Sequence, residues 1–168
     1  MVRYAAFLRG INVGGTKRVN TADITSMLSV PFNDVKAYGQ SGNFVFGTAM
    51  EKDDIISAIE HGIERTFGFH AFCIVRTIDE LRRAAENYPF PDIPAGQSYI
   101  IFMNGPAQHD ADDEWSYGDD AAVLSDDVIY LMCEKYHRTK LTNNFFEKEL
   151  GVICTARNLN TVNAVIGL

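Results

Sequence analysis

Ile55, Ile59, Ile63 and Phe67 recur at every fourth position, with Ile56 beside the first of them and charged residues filling the other face. Apolar side chains at that interval line one face of an α-helix, and Gly68 is a natural residue to end it. This helix anchors the segments on either side. Before it, Tyr4 to Leu8 is an apolar run of strand type. Asn20 and Thr21 are good N-cap types, Ile24, Met27 and Leu28 follow at helical spacing, and Pro31 stops the helix. Asp34–Tyr38 and Asn43–Phe46 flank the polar turn Gly39-Gln40-Ser41-Gly42, as in a hairpin. After the anchor helix, Phe69 to Val75 reads as a strand. Residues 2–75 thus spell β-α-β-β-α-β, the split βαβ order of ferredoxin-like domains.

A second series follows. Thr77 and Glu80 have the spacing of a capping box, and Leu81, Ala84 and Ala85 give the helix an apolar face. Pro89, Pro91 and Pro94 exclude regular structure around them. That stretch is the expected seam between a first subdomain with its linking helix, 1–87, and a second α+β subdomain, 88–168. Ser98–Met103 reads as a strand. Ala121–Leu124 and Val128–Cys133 read as a hairpin across Ser125–Asp127. Thr142 or Asn143 starts a helix carrying Phe145, Phe146 and Leu150, which Gly151 ends. Val152–Cys154 reads as a short strand, and a last helix begins near Asn160. The expected fold class is α+β, with two ferredoxin-like-related subdomains of mixed or antiparallel sheet. The second half echoes the first only in topology, with no sequence repeat.

Charge is distributed unevenly over a chain whose formal net charge is −7. The first fifty residues carry Arg3, Arg9, Lys17, Arg18 and Lys36 against Asp23 and Asp34. The segment from Gln108 to Asp127 is acidic throughout and reads as a solvated loop or exposed helix. It lacks calcium-loop spacing, and no two histidines have metal-ligand spacing, so no metal is expected. A local basic patch on an acidic body disfavours duplex binding and suits a small anion. Cys73, Cys133 and Cys154 each sit in an apolar run and read as reduced core thiols. No apolar run is long enough to span a membrane, and the N-terminus lacks the pattern of a secretory signal, so the expected compartment is the cytoplasm.

Three polar stretches are candidates for chemistry. The first is the loop after the opening strand, with Arg9, Gly10, Asn12, Gly14, Gly15 and Lys17. Its glycines let a ligand approach backbone N–H groups at a strand end. The loop misses the P-loop pattern, because Thr16-Lys17 stands where Lys-Thr is required and the helix starts late. The hairpin turn adds Gln40, Ser41 and Asn43. The second stretch, Thr155 to Thr161, runs from a strand end into a helix N-terminus. There Arg157 offers a bidentate fork, beside Asn158 and Asn160. The third, Glu134 to Lys140, holds His137 in a cationic setting as a conceivable acid–base group.

These motifs carry a resemblance. Leu8-Arg-Gly-Ile-Asn-Val-Gly-Gly15, Tyr38-Gly-Gln-Ser-Gly-Asn43, Lys140-Leu-Thr-Asn143 and Thr155-Ala-Arg-Asn-Leu-Asn-Thr-Val162 together resemble the DUF1697 family, bacterial proteins of uncharacterised function. The resemblance implies two α+β subdomains, each somewhat ferredoxin-like, and brings no activity, cofactor or catalytic residue. Gly39 and Leu159 depart from it, standing where the family more often has a bulky apolar residue and a tryptophan. The leading expectation is a small anionic, phosphate- or nucleotide-like ligand held by the N-terminal loop together with the Thr155–Thr161 segment. The alternatives are a single-stranded nucleic-acid module stacking bases on Tyr38, Phe44 and Phe46, and a hydrolase or transferase using His137 or a cysteine.

Overall fold

The computed structural model describes residues 1–12, 18–107 and 113–168. The chain divides into two units, Met1–Glu80 with Ala164–Leu168, and Leu81–Asn163. Each unit is built on one antiparallel sheet.

In the first unit, β1 (Val2–Arg9) leads to α1 (Thr21–Leu28), β2 (Asn33–Tyr38), β3 (Asn43–Thr48), α2 (Lys52–Phe67) and β4 (Phe72–Thr77). The sheet order is β2-β3-β1-β4. β3 therefore lies between β1 and β2, antiparallel to both. The every-fourth-residue pattern places Ile55, Ile59 and Ile63 in the core, against Tyr4, Ala6, Leu8, Phe44 and Phe46. Gly68 ends α2 in the left-handed region, with φ 77°, which glycine adopts without steric cost. β4 is an edge strand, and the Glu60 carboxylate of α2 accepts its Cys73 N–H at 2.8 Å.

The Thr77–Glu80 box opens α3 (Ile78–Glu86). Thr77 N–H donates to Glu80 Oε2 at 2.7 Å, and Glu80 N–H donates to Thr77 Oγ1 at 3.1 Å, so each caps the other. Lys52 also donates to both Glu80 oxygens, at 2.7 and 2.8 Å. Partial burial alone pushes the Glu80 carboxyl up. The hydrogen bonds and charge of Lys52, with the Thr77 N–H, outweigh this and hold it below its ordinary value of 4.5. A depressed carboxyl stabilises the fold above its unfolded pKa, and that stabilisation fades as pH falls through the folded value. Glu80→Gln keeps the reciprocal cap and loses the charge. Its stability deficit against the parent should be present at neutral pH and shrink as pH drops below about 4.5, read as the difference between two urea midpoints across pH. A deficit of constant size would refute the assignment.

The second unit has β5 (Ser98–Met103), β6 (Glu114–Tyr117), β7 (Asp120–Ser125), β8 (Val128–Met132), α4 (Asn143–Leu150), β9 (Cys154–Asn158) and the first five residues of α5 (Leu159–Ile166). Its sheet order is β6-β7-β8-β5-β9. Thr142 caps α4 through its Oγ1, and Gly151 closes it at φ 67°. Part of the acidic segment differs from its expected loop or helix. Glu114–Tyr117 is an edge strand paired with β7, anchored where Trp115 meets the Phe146 ring edge-on at 5.0 Å. Trp115 packs, while Tyr117 and the carboxylates of Asp113 and Glu114 stay exposed.

The two units repeat one plan. Strands β7-β8-β5-β9 have the order and antiparallel sense of β2-β3-β1-β4, with β6 standing in chain order where the first unit has α1. The registers extend the correspondence to residues. Cys73 and Arg76 oppose Leu8 and Ala5, as Cys154 and Arg157 oppose Met103 and Ile100. Each arginine donates through Nη1 to the carbonyl just before it, Val75 at 3.0 Å and Ala156 at 2.9 Å. Each is followed by a capping residue, Thr77 or Asn158, that accepts an N–H three positions on. The two strands thus share a short pattern, Cys-x-x-Arg-(Thr/Asn)-(Ile/Leu). It is too short to stand out until register aligns it.

Candidate functional site

In the first unit the mouth of the loop after β1 is built from the end of β1, the hairpin turn and the start of α1. Gly10, at φ 79°, turns the chain out of the strand. Ile11, 2% exposed, tucks back into the core. Gly42 is the residue this docking requires. It has φ 83°, and a Cβ there would lie 2.7 Å from Leu8 Cβ and 3.0 Å from Ile11 Cδ1. Its carbonyl accepts the Leu8 N–H at 2.9 Å, which fastens the turn to β1.

Asn12 holds the mouth closed. Its backbone is left-handed, φ 54°, a conformation Asn tolerates better than most residues. Its Nδ2 donates to the carbonyls of Val19 at 3.0 Å and Gln40 at 2.8 Å, and its Oδ1 accepts the Val19 N–H at 2.8 Å. The side-chain amide is thus occupied on both of its atoms, and Asn12 acts as a brace. Asn43 does the same for the turn. It is buried, and its Nδ2 donates to the Tyr38 carbonyl at 2.9 Å and Ser41 Oγ at 3.1 Å. At the start of α1, Asn20 Oδ1 accepts the Ala22 N–H at 2.9 Å, and Thr21 Oγ1 donates to the Gly39 carbonyl at 3.4 Å.

These residues surround a polar cavity of about 770 Å³ lined by Asn12, Arg18, Val19, Asn20, Thr21, Gly39 and Gln40. Arg18 is exposed and is the one formally charged group among the described lining residues. Arg9 is half-buried at the end of β1. Gly14, Gly15 and Lys17 lie outside the described residues. Sequence reasoning picked out Asn12 and Gln40. It passed over Arg18, Asn20 and Thr21, whose signal was their place between a glycine-rich loop and a helix start.

The other candidates fall as follows. Arg157 lies inside β9, and Asn158 is its last residue, directly before α5. Arg157 is buried, and its Nη1 also donates to Thr155 Oγ1 at 2.6 Å. Asn158 Oδ1 accepts the Thr161 N–H at 2.9 Å, which makes it the cap of α5, and Asn160 is exposed. His137 is exposed on a 3₁₀ turn, Tyr136–Arg138. Burial and the nearby Glu60 carboxylate push the Cys73 thiol up, and burial with Asp120 pushes Cys133 to about 12. Neither thiol is a ready nucleophile at neutral pH, since thiolate character governs cysteine reactivity. Phe44 and Phe46 belong to the core, and Ala5, Phe7, Val45 and Ile74 on the opposite face of that sheet are buried as well. That leaves Tyr38, 40% exposed, without the platform that base stacking uses. Among the described residues no three His, Cys, Asp or Glu side chains converge to hold a metal. None of the described helices is long and apolar enough to cross a membrane.

The molecule is an α+β protein with two antiparallel sheets, of four and five strands, and a polar cavity at the end of its first strand. Residues 1–130 match the model of a family described as a protein of unknown function, DUF1697, and the chain belongs to that family. No curated protein matches it. Among solved structures it is similar to the conserved bacterial protein SP0830 from Streptococcus pneumoniae, with a TM-score of 0.69 and 20% sequence identity. The likeness covers 99% of this chain and 97% of that one. At that identity it speaks for the fold.

Proposed function

We propose that the protein binds a small anionic ligand of phosphate or nucleotide type in the cavity at the mouth of the loop after β1. The observation that carries this reading is the cavity's lining: among its described residues, polar side chains surround one cation, Arg18, and no carboxylate is present. A guanidinium is suited to phosphate oxygens, which it meets with paired donors. The Gln40 side-chain amide adds donors that orient a ligand without adding charge, while the Thr21 hydroxyl, its proton given to the Gly39 carbonyl, helps fix the wall. Asn12 keeps those groups at fixed spacing, so little ordering cost falls on binding. Arg157, tied to Thr155 and Ala156, has no part in this reading.

The test is titration of the full chain with inorganic phosphate, AMP and ATP, followed by backbone amide shifts and calorimetry. Shifts should concentrate at Asn12, Arg18, Thr21 and Gln40. Arg18→Glu should weaken binding at least about tenfold by replacing the attracting charge with a repelling one. Amides that stay still at millimolar ligand, or an affinity indifferent to Arg18→Glu, would refute the proposal.

A further inference from the structure

A second concavity, of about 880 Å³, lies between α1 and α2, and its lining is mostly apolar. Met27, Ala58 and Gly62 form part of it, and a Cβ on Gly62 would come within 3.1 Å of the Met27 sulfur, so the helices approach closely there. α1 joins two parallel strands and α2 joins two others of the opposite sense, so the helices run antiparallel. The start of α1 therefore lies at the same end of the groove as the finish of α2. At that end Asp23 stands on the α1 wall, and His61 and Arg65 stand on the α2 wall. Among the described residues none of the three has an ion-pair partner within the chain. At the other end of α1, Val30 is 87% exposed, an apolar side chain in water on the same groove.

We propose that this groove is the contact face of a homodimer and that its occupant is a second copy of the chain. A two-fold contact requires a patch that complements itself. A two-fold axis along the groove lays α1 of each copy over α2 of the other. Asp23 then faces Arg65 of the partner subunit and His61 of the partner subunit, and the reverse pair forms by symmetry. A small anion in the groove would meet Asp23, and a small cation would meet Arg65. A partner with the two charges in mirrored order satisfies both walls. The same contact removes Val30 from water, where its exposure is unfavourable.

Sedimentation of the full chain from about 5 µM to about 1 mM tests this. The mass should rise from 18.7 kDa toward twice that value. Asp23→Arg and Arg65→Asp should each raise the dissociation constant at least about tenfold, and the double variant should return to within about threefold of the parent. Val30→Asp should weaken the dimer as well. All three positions are exposed, so at concentrations where parent and variants are alike monomeric the melting temperatures should agree within a few degrees. A mass fixed at 18.7 kDa throughout overturns the proposal. A dimer indifferent to the single charge reversals, or single losses that the double variant does not recover, overturns it too. Uptake of an apolar fluorescent probe by a chain that stays monomeric would give the groove to a small ligand and would also overturn it.

Discussion

Replacing Gly42 by alanine is expected to lower the melting temperature by roughly 5–15 °C, from about 2–4 °C per kcal/mol in a chain of this size. Two separate penalties add at this position. The backbone is left-handed, at φ 83°, which costs an L-residue about 1–2 kcal/mol. The new Cβ would also sit 2.7 Å from Leu8 Cβ, on a backbone that Leu8 N–H and the Gly42 carbonyl hold together. Relieving such a contact means moving the turn off β1, and overpacking of this kind costs about 1–3 kcal/mol. Gly39→Ala is the control. Its φ is 63°, but nothing lies within 4 Å of a Cβ there, so only the backbone penalty applies. If both variants melt together, the close packing of the turn on Leu8 and Ile11 is not what fixes glycine at position 42.

Asn12→Asp should be more damaging than Asn12→Ala, although aspartate is nearly the same shape. The Asn12 amide donates two hydrogen bonds, to the carbonyls of Val19 and Gln40. A carboxylate would turn an oxygen toward those two carbonyl oxygens and replace attraction with repulsion. Alanine leaves three backbone groups to find water, at about 1–3 kcal/mol where they are partly buried, and adds a left-handed backbone cost of about 1–2 kcal/mol, but it brings no repelling charge. Both variants should also weaken the proposed ligand binding at least about tenfold, because the cavity's wall is no longer held. Thermal melts rank the two changes, and hydrogen exchange at Val19 reports the local opening. A neutral Asn12→Asp, or unaltered protection at Val19, would mean that the brace does not hold the loop mouth.

The two predictions concern neighbouring residues with different legibility. Gly42 was readable as a turn glycine, because turn chemistry is local. Its contact with Leu8 was not, since it depends on the hairpin folding back onto a strand more than thirty positions earlier. Asn12 and Asn43 were readable as polar groups in glycine-rich loops, and a side-chain amide in that setting reads equally well as ligand donor or backbone brace. The choice follows from which carbonyls lie within 3 Å, as they do for Asn12 and Asn43. Arg157 shows the same limit. In sequence it is a cation beside a helix start; in register it is the counterpart of Arg76 on a strand.

Sequence by itself determined what depends on near neighbours. The four-residue spacing of Ile55, Ile59 and Ile63 defined α2, the Thr77–Glu80 box placed the start of α3, and Gly68 and Gly151 marked helix ends. These features rest on periodicity and capping within a turn or two of helix, so no distant residue can alter them. The tertiary structure alone decided what depends on pairing across the chain. It made Glu114–Tyr117 an edge strand, because a partner strand and the Phe146 ring were there to receive it. It aligned Cys73 to Arg76 with Cys154 to Arg157, and it set Arg18, Thr21 and Gln40 around one cavity. Strand register and the closing of a loop are long-range events, and their outcome is fixed only when every competing contact forms at once.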